Sequence, residues 1–213
     1  MPVRVPAPGA LVVVGMQNDL LHPDGFFGRR GLINVSAEQR QAVLDNVNAL
    51  ATAFRAAEWP VVQALWQLRP DHLNASYSHQ WRRLGLRDAG ALAGGSWGAA
   101  LVDGLVVGAD DFVLPLTSHS AFQFTPLDRI LRNCRSTTCV LVGGAATEAI
   151  DDSTRQGAAF GYRVVLPADA IYPASEEHLR QTLGSRAETS TTREVLDLVT
   201  AGGLAEQQPV ASR

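Results

Sequence analysis

Short apolar runs rich in β-branched residues alternate along this chain with segments of helical period. That alternation restricts it to a mostly parallel sheet covered by helices on both faces. Ala10 to Val14, with three consecutive valines, is short enough for a strand buried on both sides and reads as the first strand. From Ser36 to Glu58, apolar residues fall at helical spacing (Val43, Val47, Leu50, Phe54), and Ser36 is placed as the N-cap. Val61 to Trp66 reads as a second strand, Asp111 to Leu116 as a third, Thr138 to Val142 as a fourth and Tyr162 to Leu166 as a fifth. Helices are expected over Pro126 to Cys134, Ala146 to Phe160 and Glu176 to Val199, the last broken near Gly184. In such a sheet, ligands bind beyond the carboxyl ends of the strands. The residues to inspect therefore lie at Gly15 to Asp19, Trp66 to Arg69, Leu116 to Phe122 and Gly144 to Ile150. The polar stretch from Gln67 to Gly98 is long enough to carry function or to build a lid.

Composition narrows the chemistry. The 213 residues suit one domain, with a core over about residues 10 to 198 and a frayed tail from about 203 to 213. All 18 basic residues are arginine, so mechanisms that need a lysine ammonium or a Schiff base are excluded. A net charge of −3 leaves no basic surplus for nucleic acid. No stretch approaches the roughly 20 apolar residues of a membrane span, and the opening residues are too short of apolar character for a signal peptide, so a cytoplasmic location is expected. Cys134 and Cys139 form neither a metal pattern nor a disulfide framework, and they read as reduced thiols.

Four ordered motifs sit on those strand ends. Val13 to Leu20 with His22-Pro23-Asp24-Gly25 resembles the opening of the isochorismatase-like (cysteine hydrolase) family. Ser120-Ala121-Phe122 is similar to that family's Ser-Ala-Phe segment. Gly144-Ala145-Ala146-Thr147-Glu148 resembles its strand-four turn, and Asp169-Ala170 its later Asp-Ala pair. The resemblance implies a three-layer α/β/α sandwich with a mostly parallel central sheet. In hydrolytic members an Asp at the end of strand one, a Lys and a nucleophilic Cys run the reaction. Carried over, these positions are Gly15, Leu116 and Ile150, which offer neither nucleophile nor titratable proton. The family's metal-binding Asp-x-His falls on Trp66, Gln67 and Leu68, and His72 and His79 lie seven residues apart, so no metal and no cofactor is expected.

The resemblance also implies an oxyanion hole from the backbone N–H groups of Ala146 and Ile150, and a cis peptide at Ala145-Ala146. Apolar replacements recast the pocket. Gly15, Gln17, Phe26, Trp66, Trp97, Leu116, Phe122, Ala146, Thr147 and Ile150 are the candidate small-molecule contacts, with Phe27 as a further wall. Alternatively, those residues pack against one another and close the site. His119 and Glu148 are the candidate acid–base groups. Asp19 reads as structural or catalytic, Gln17 as a ligand contact or a brace, and Arg82, Arg83 and Arg87 as a carboxylate receiver or a solvated face.

The expected function is a repurposed small-molecule enzyme that carries out cyclisation, isomerisation or elimination. The alternatives are a non-catalytic pseudoenzyme acting as binding protein or partner subunit, and a Cys-independent hydrolase in which His119 activates water. A homo-oligomer, dimer or tetramer, is implied by the resemblance.

Overall fold

A computed structural model describes residues 8–33, 35–173 and 176–200; the expected frayed tail lies outside the described residues. Its centre is a sheet in which every strand pairing is parallel, with order β3-β2-β1-β4-β5-β7. The strands are β1 (Gly9–Val14), β2 (Val61–Trp66), β3 (Phe112–Leu116), β4 (Thr138–Gly144), β5 (Arg163–Pro167), β6 (Ile171–Tyr172) and β7 (Glu188–Ser190). β6 pairs with the end of β4, setting Gly144 opposite Tyr172. The helices are α1 (Asn18–Leu21), α2 (Phe26–Arg29), α3 (Ala37–Ala56), α4 (Ser78–Leu84), α5 (Leu127–Asn133), α6 (Asp151–Ala159), α7 (Glu176–Leu183) and α8 (Thr192–Thr200).

The period-two geometry of β1 divides its side chains between two cores. Ala10, Val12 and Val14 face a core shared with Trp81 of α4 and with α5 and α7. Leu11 and Val13 face a second core built by α3 and α8. These are the two interfaces of a three-layer sandwich. Ser36 caps α3 as expected, and the cap is reciprocal: its Oγ accepts from the Gln39 N–H at 3.2 Å while the Gln39 side chain accepts from the Ser36 N–H at 2.9 Å.

Two expected helices differ from the structure. Residues 146–150 form a π-helical turn that precedes α6, because the Ile150 N–H reaches the Ala145 carbonyl at 3.0 Å, five residues back. The tail is broken at Gly184 as expected, but the break holds a strand the sequence did not suggest, β7, whose Glu188 takes a place beside β5 and is held by Arg163. Among the described residues no helix is long and apolar enough to cross a membrane.

Candidate active site

At the carboxyl end of the sheet the backbone does much of the holding. Gly15 follows β1 with φ +63°, a left-handed conformation that favours glycine. Its carbonyl accepts from the Tyr172 hydroxyl at 2.6 Å. The Tyr172 ring lies so close to Gly144 that a Cβ there would overlap it. Gln17, fully buried, accepts from the Trp66 N–H at 2.7 Å and donates to the carbonyls of Trp66 and Ala99 at 2.9 and 2.7 Å. It is a brace between strand ends with no free amide for a ligand. Asp19 is structural in the same way, accepting from the Phe26 N–H at 2.9 Å and the Leu92 N–H at 2.7 Å. It packs on Gly98, where a Cβ would collide with its carboxylate.

Those bonds fasten residues 67–101 across the strand ends. Asn18 adds its side-chain amide to the Trp97 carbonyl at 2.9 Å, and the Asp19 N–H donates to the Gly98 carbonyl at 2.8 Å. The segment folds α4 within it and buries Trp81, Leu86 and Leu92. Arg82, Arg83 and Arg87 stand exposed on its outside.

The expected pocket wall divides. Leu116, Ile150, Phe122 and Ala146 are buried within the core, Phe122 against Phe160 and Tyr162. Phe26 is buried with Arg30 over its ring at 3.9 Å. Trp97 is 54% exposed and meets His22 edge-on. Thr147 points to solvent. Leu116 and Ile150 are fully buried in the core at the ends of β1 and β3. A cavity of about 40 Å³ lies between Trp66, Trp81, Phe27, Leu84, His119 and Glu148.

His119 is its centre. The ring stacks on Tyr77 with centroids 4.0 Å apart and planes 15° from parallel, and Trp66 and Trp81 stand 5.7 Å away. Only 7% of the residue is exposed. Among the described residues neither ring nitrogen has a hydrogen-bond partner: Nε2 faces Glu148 Oε2 and Nδ1 faces Asp152 Oδ2, each at 3.9 Å. Burial lowers the imidazole pKa below its ordinary value, against the pull of the two carboxylates, and keeps the ring neutral near pH 7. The Tyr77 hydroxyl donates to Asp152 Oδ2 at 3.2 Å. Burial, the Asp152 charge and that hydrogen bond raise the Tyr77 pKa.

Sequence reasoning singled out His119 and Glu148 but missed Tyr77, Trp81 and Asp152. One signal was available: Glu148 and Asp152, four apart at a helix start, share a face.

The turn after β4 departs from expectation in two ways. The cis peptide lies at Gly144-Ala145, one residue earlier than the resemblance implied, where the residue without a side chain sits against Tyr172. The Ile150 N–H is taken up by the Ala145 carbonyl, so it is not one of a pair of oxyanion donors. Neither cysteine approaches the site. Cys139 is fully buried in β4, with its thiol pushed up to about 12 by burial. Cys134 lies beside Pro60 and Phe112 at the amino ends of the strands. Among the described residues no group of three or more His, Cys, Asp or Glu is placed to hold a metal ion.

Known proteins share this architecture. The family model described as Isochorismatase domain matches residues 9–197. In sequence the chain is similar to the ureidoacrylate amidohydrolase RutB of Methylobacterium radiotolerans, 32% identical over 195 residues, covering 86% of this chain and 74% of that one. In structure it is similar to a cysteine hydrolase from Pseudomonas syringae pv. phaseolicola (TM-score 0.77, 20% identity, 95% of this chain and 96% of that one). It is also similar to an isochorismatase family protein from Desulfovibrio vulgaris (TM-score 0.76, 24% identity, 91% and 99%). The mostly parallel sandwich expected from the sequence is the fold of these neighbours.

Proposed function

The chain belongs to the isochorismatase family, and from that premise we propose that it works on a small, largely apolar molecule by acid–base chemistry at His119, without a covalent cysteine intermediate. One arrangement carries the reading. A buried, neutral histidine without a hydrogen bond lines a cavity, with one ring nitrogen facing Glu148 across it and the other facing Asp152. Such a base takes a proton from a bound molecule at Nε2, and Asp152, itself held by Tyr77, stabilises the imidazolium that forms. A double-bond isomerisation needs a proton taken at one atom and returned at another; in an elimination the returned proton goes to the departing group, and in a cyclisation the deprotonated atom forms the new ring bond. Positioned acid–base catalysis of this kind contributes roughly 10²- to 10⁴-fold. The covalent route lacks its parts, since Gly15, Leu116 and Ile150 stand where the family resemblance places Asp, Lys and Cys.

Two other readings each have one observation behind them. The amidohydrolase named among the relatives favours hydrolysis, with His119 drawing the proton from a water molecule. The cavity of about 40 Å³ favours a member that only binds, alone or as a partner subunit. Assaying the purified chain against enolisable ketones, amides and esters separates the three. We expect His119→Phe, which keeps the stack on Tyr77, to lower turnover roughly 10²-fold or more, while Cys134→Ala and Cys139→Ala keep it. Ligand binding with no turnover in the unaltered chain would favour the binding reading, and a trapped acyl-enzyme would refute the acid–base proposal.

A further inference from the structure

The cavity beside His119 also has a charge character. Its aromatic walls are Trp66, Trp81 and Phe27, and its ionisable groups are the neutral imidazole and the Glu148 carboxylate. Among the described residues no arginine lines it. The nearby Arg30 is engaged, seated over the Phe26 ring and donating to the Leu84 carbonyl at 2.8 Å, and Arg155 is engaged by Asp151. Asp152 adds a second carboxylate 3.9 Å behind His119. The carboxylates alone would be no more than an acidic rim. What points to a ligand is His119, more than nine-tenths buried, without a hydrogen bond, and directed into the cavity.

We propose that the group received here is the head of a small organic cation, a primary ammonium carried on an apolar body. The proposal rests on the reading of His119 and Glu148 as the working pair and names the class of molecule they meet. An ammonium supplies N–H donors to two acceptors 3.9 Å apart, Nε2 of His119 and Oε2 of Glu148. It also enters a space lined by two tryptophans and a phenylalanine, the kind of aromatic surroundings that favour a cation. A carboxylate head would face Glu148, with Asp152 adding like charge from behind His119 and no arginine among the lining residues. The cavity takes a head of about two heavy atoms. The rest of the molecule lies outward along Phe27 and the exposed Leu84.

The test is equilibrium binding to the full chain at about pH 8, where the amine is charged and His119 is neutral. Benzylamine, benzyl alcohol and benzoate are compared by calorimetry and by tryptophan fluorescence. We expect benzylamine to bind at least about tenfold tighter than benzyl alcohol, benzoate to bind weakest, and Glu148→Gln to cut the benzylamine affinity about tenfold while leaving benzyl alcohol unchanged. Glu148 is half exposed, so this variant tests charge without disturbing the core. Benzyl alcohol or benzoate binding as tightly as benzylamine would overturn the proposal. So would benzylamine failing to bind at about 10 mM, or binding Glu148→Gln as well as the unaltered chain. Amine preference together with turnover that survives His119→Phe would sink the acid–base reading and leave the cation site standing. His119-dependent turnover with benzoate preferred would do the reverse.

Discussion

Placing a side chain at Gly15 measures how well this strand end could carry a carboxylate. At φ +63° an alanine adopts the left-handed conformation at a cost of about 1–2 kcal/mol. Its smaller unfolded-state entropy returns about 0.4–1 kcal/mol. Its Cβ would lie 3.0 Å from Leu20 Cδ1, the movable end of a side chain, and 3.2 Å from the Gly144 carbonyl oxygen. That carbonyl cannot easily retreat, because Tyr172 packs against Gly144. Gly15→Ala should therefore destabilise by about 1 kcal/mol, roughly 2–4 °C in melting temperature for a chain of this length. Gly15→Asp adds a carboxylate in the interior beside a carbonyl oxygen, with several more kcal/mol of desolvation, and should lower the melting temperature by roughly 10 °C. Urea and thermal unfolding of both variants supply the numbers. A Gly15→Ala chain as stable as the unaltered one would refute the strain argument. Amidase activity in the triple variant Gly15→Asp, Leu116→Lys, Ile150→Cys would refute the wider claim that the site can no longer accept the covalent machinery.

Tyr172→Phe should cost about 0.5–1.5 kcal/mol, because the buried Gly15 carbonyl loses its 2.6 Å partner and keeps only the Gln17 N–H at 2.8 Å; an unchanged urea midpoint would contradict this. Asp19→Ala strands the Phe26 and Leu92 N–H groups, at about 1–3 kcal/mol each, and should raise amide hydrogen exchange across residues 86–101 above the rate in the sheet. The pKa values of His72 and His119 are both lowered chiefly by burial, so each contributes stability that is complete above the ordinary histidine value of about 6.5 and is lost as pH falls through the lower folded value. Urea midpoints should therefore drop from pH 7 to pH 5, less steeply in His119→Phe, and a flat profile would remove the claim. The same titration predicts that kcat/KM falls on the acid side below about pH 6.5, and that His119→Phe abolishes this limb along with most of the turnover.

β1, β2 and β4 were legible because burial on both faces leaves continuous apolar runs. Val61–Trp66 is read from the sequence at both ends as the structure has it, and Ser36 announces α3 by its capping chemistry. β7 was not legible: Glu-Thr-Ser has no apolar pattern, and it is a strand only because the edge of β5 offers hydrogen-bonding groups to it. At the site, His119 and Glu148 could be picked out one at a time as titratable residues near strand ends. Their meeting across a cavity depends on Tyr77 and Trp81, which arrive from a segment with no strong period. The inward closure at Gly15 depends on Tyr172, 157 residues away in sequence. Local propensity and spacing report neither, since both are settled by long-range packing.

The pinning of residues 67–101 by Gln17, Asn18 and Asp19 has a kinetic corollary. A cover held by several hydrogen bonds to its own floor cannot swing aside without breaking them, so a ligand taken up by the proposed site meets a form that is already the dominant one. Association should then appear as a single phase whose observed rate rises linearly with ligand concentration, with no plateau from a slow isomerisation, and differences in affinity between ligands should reside in how long each one stays.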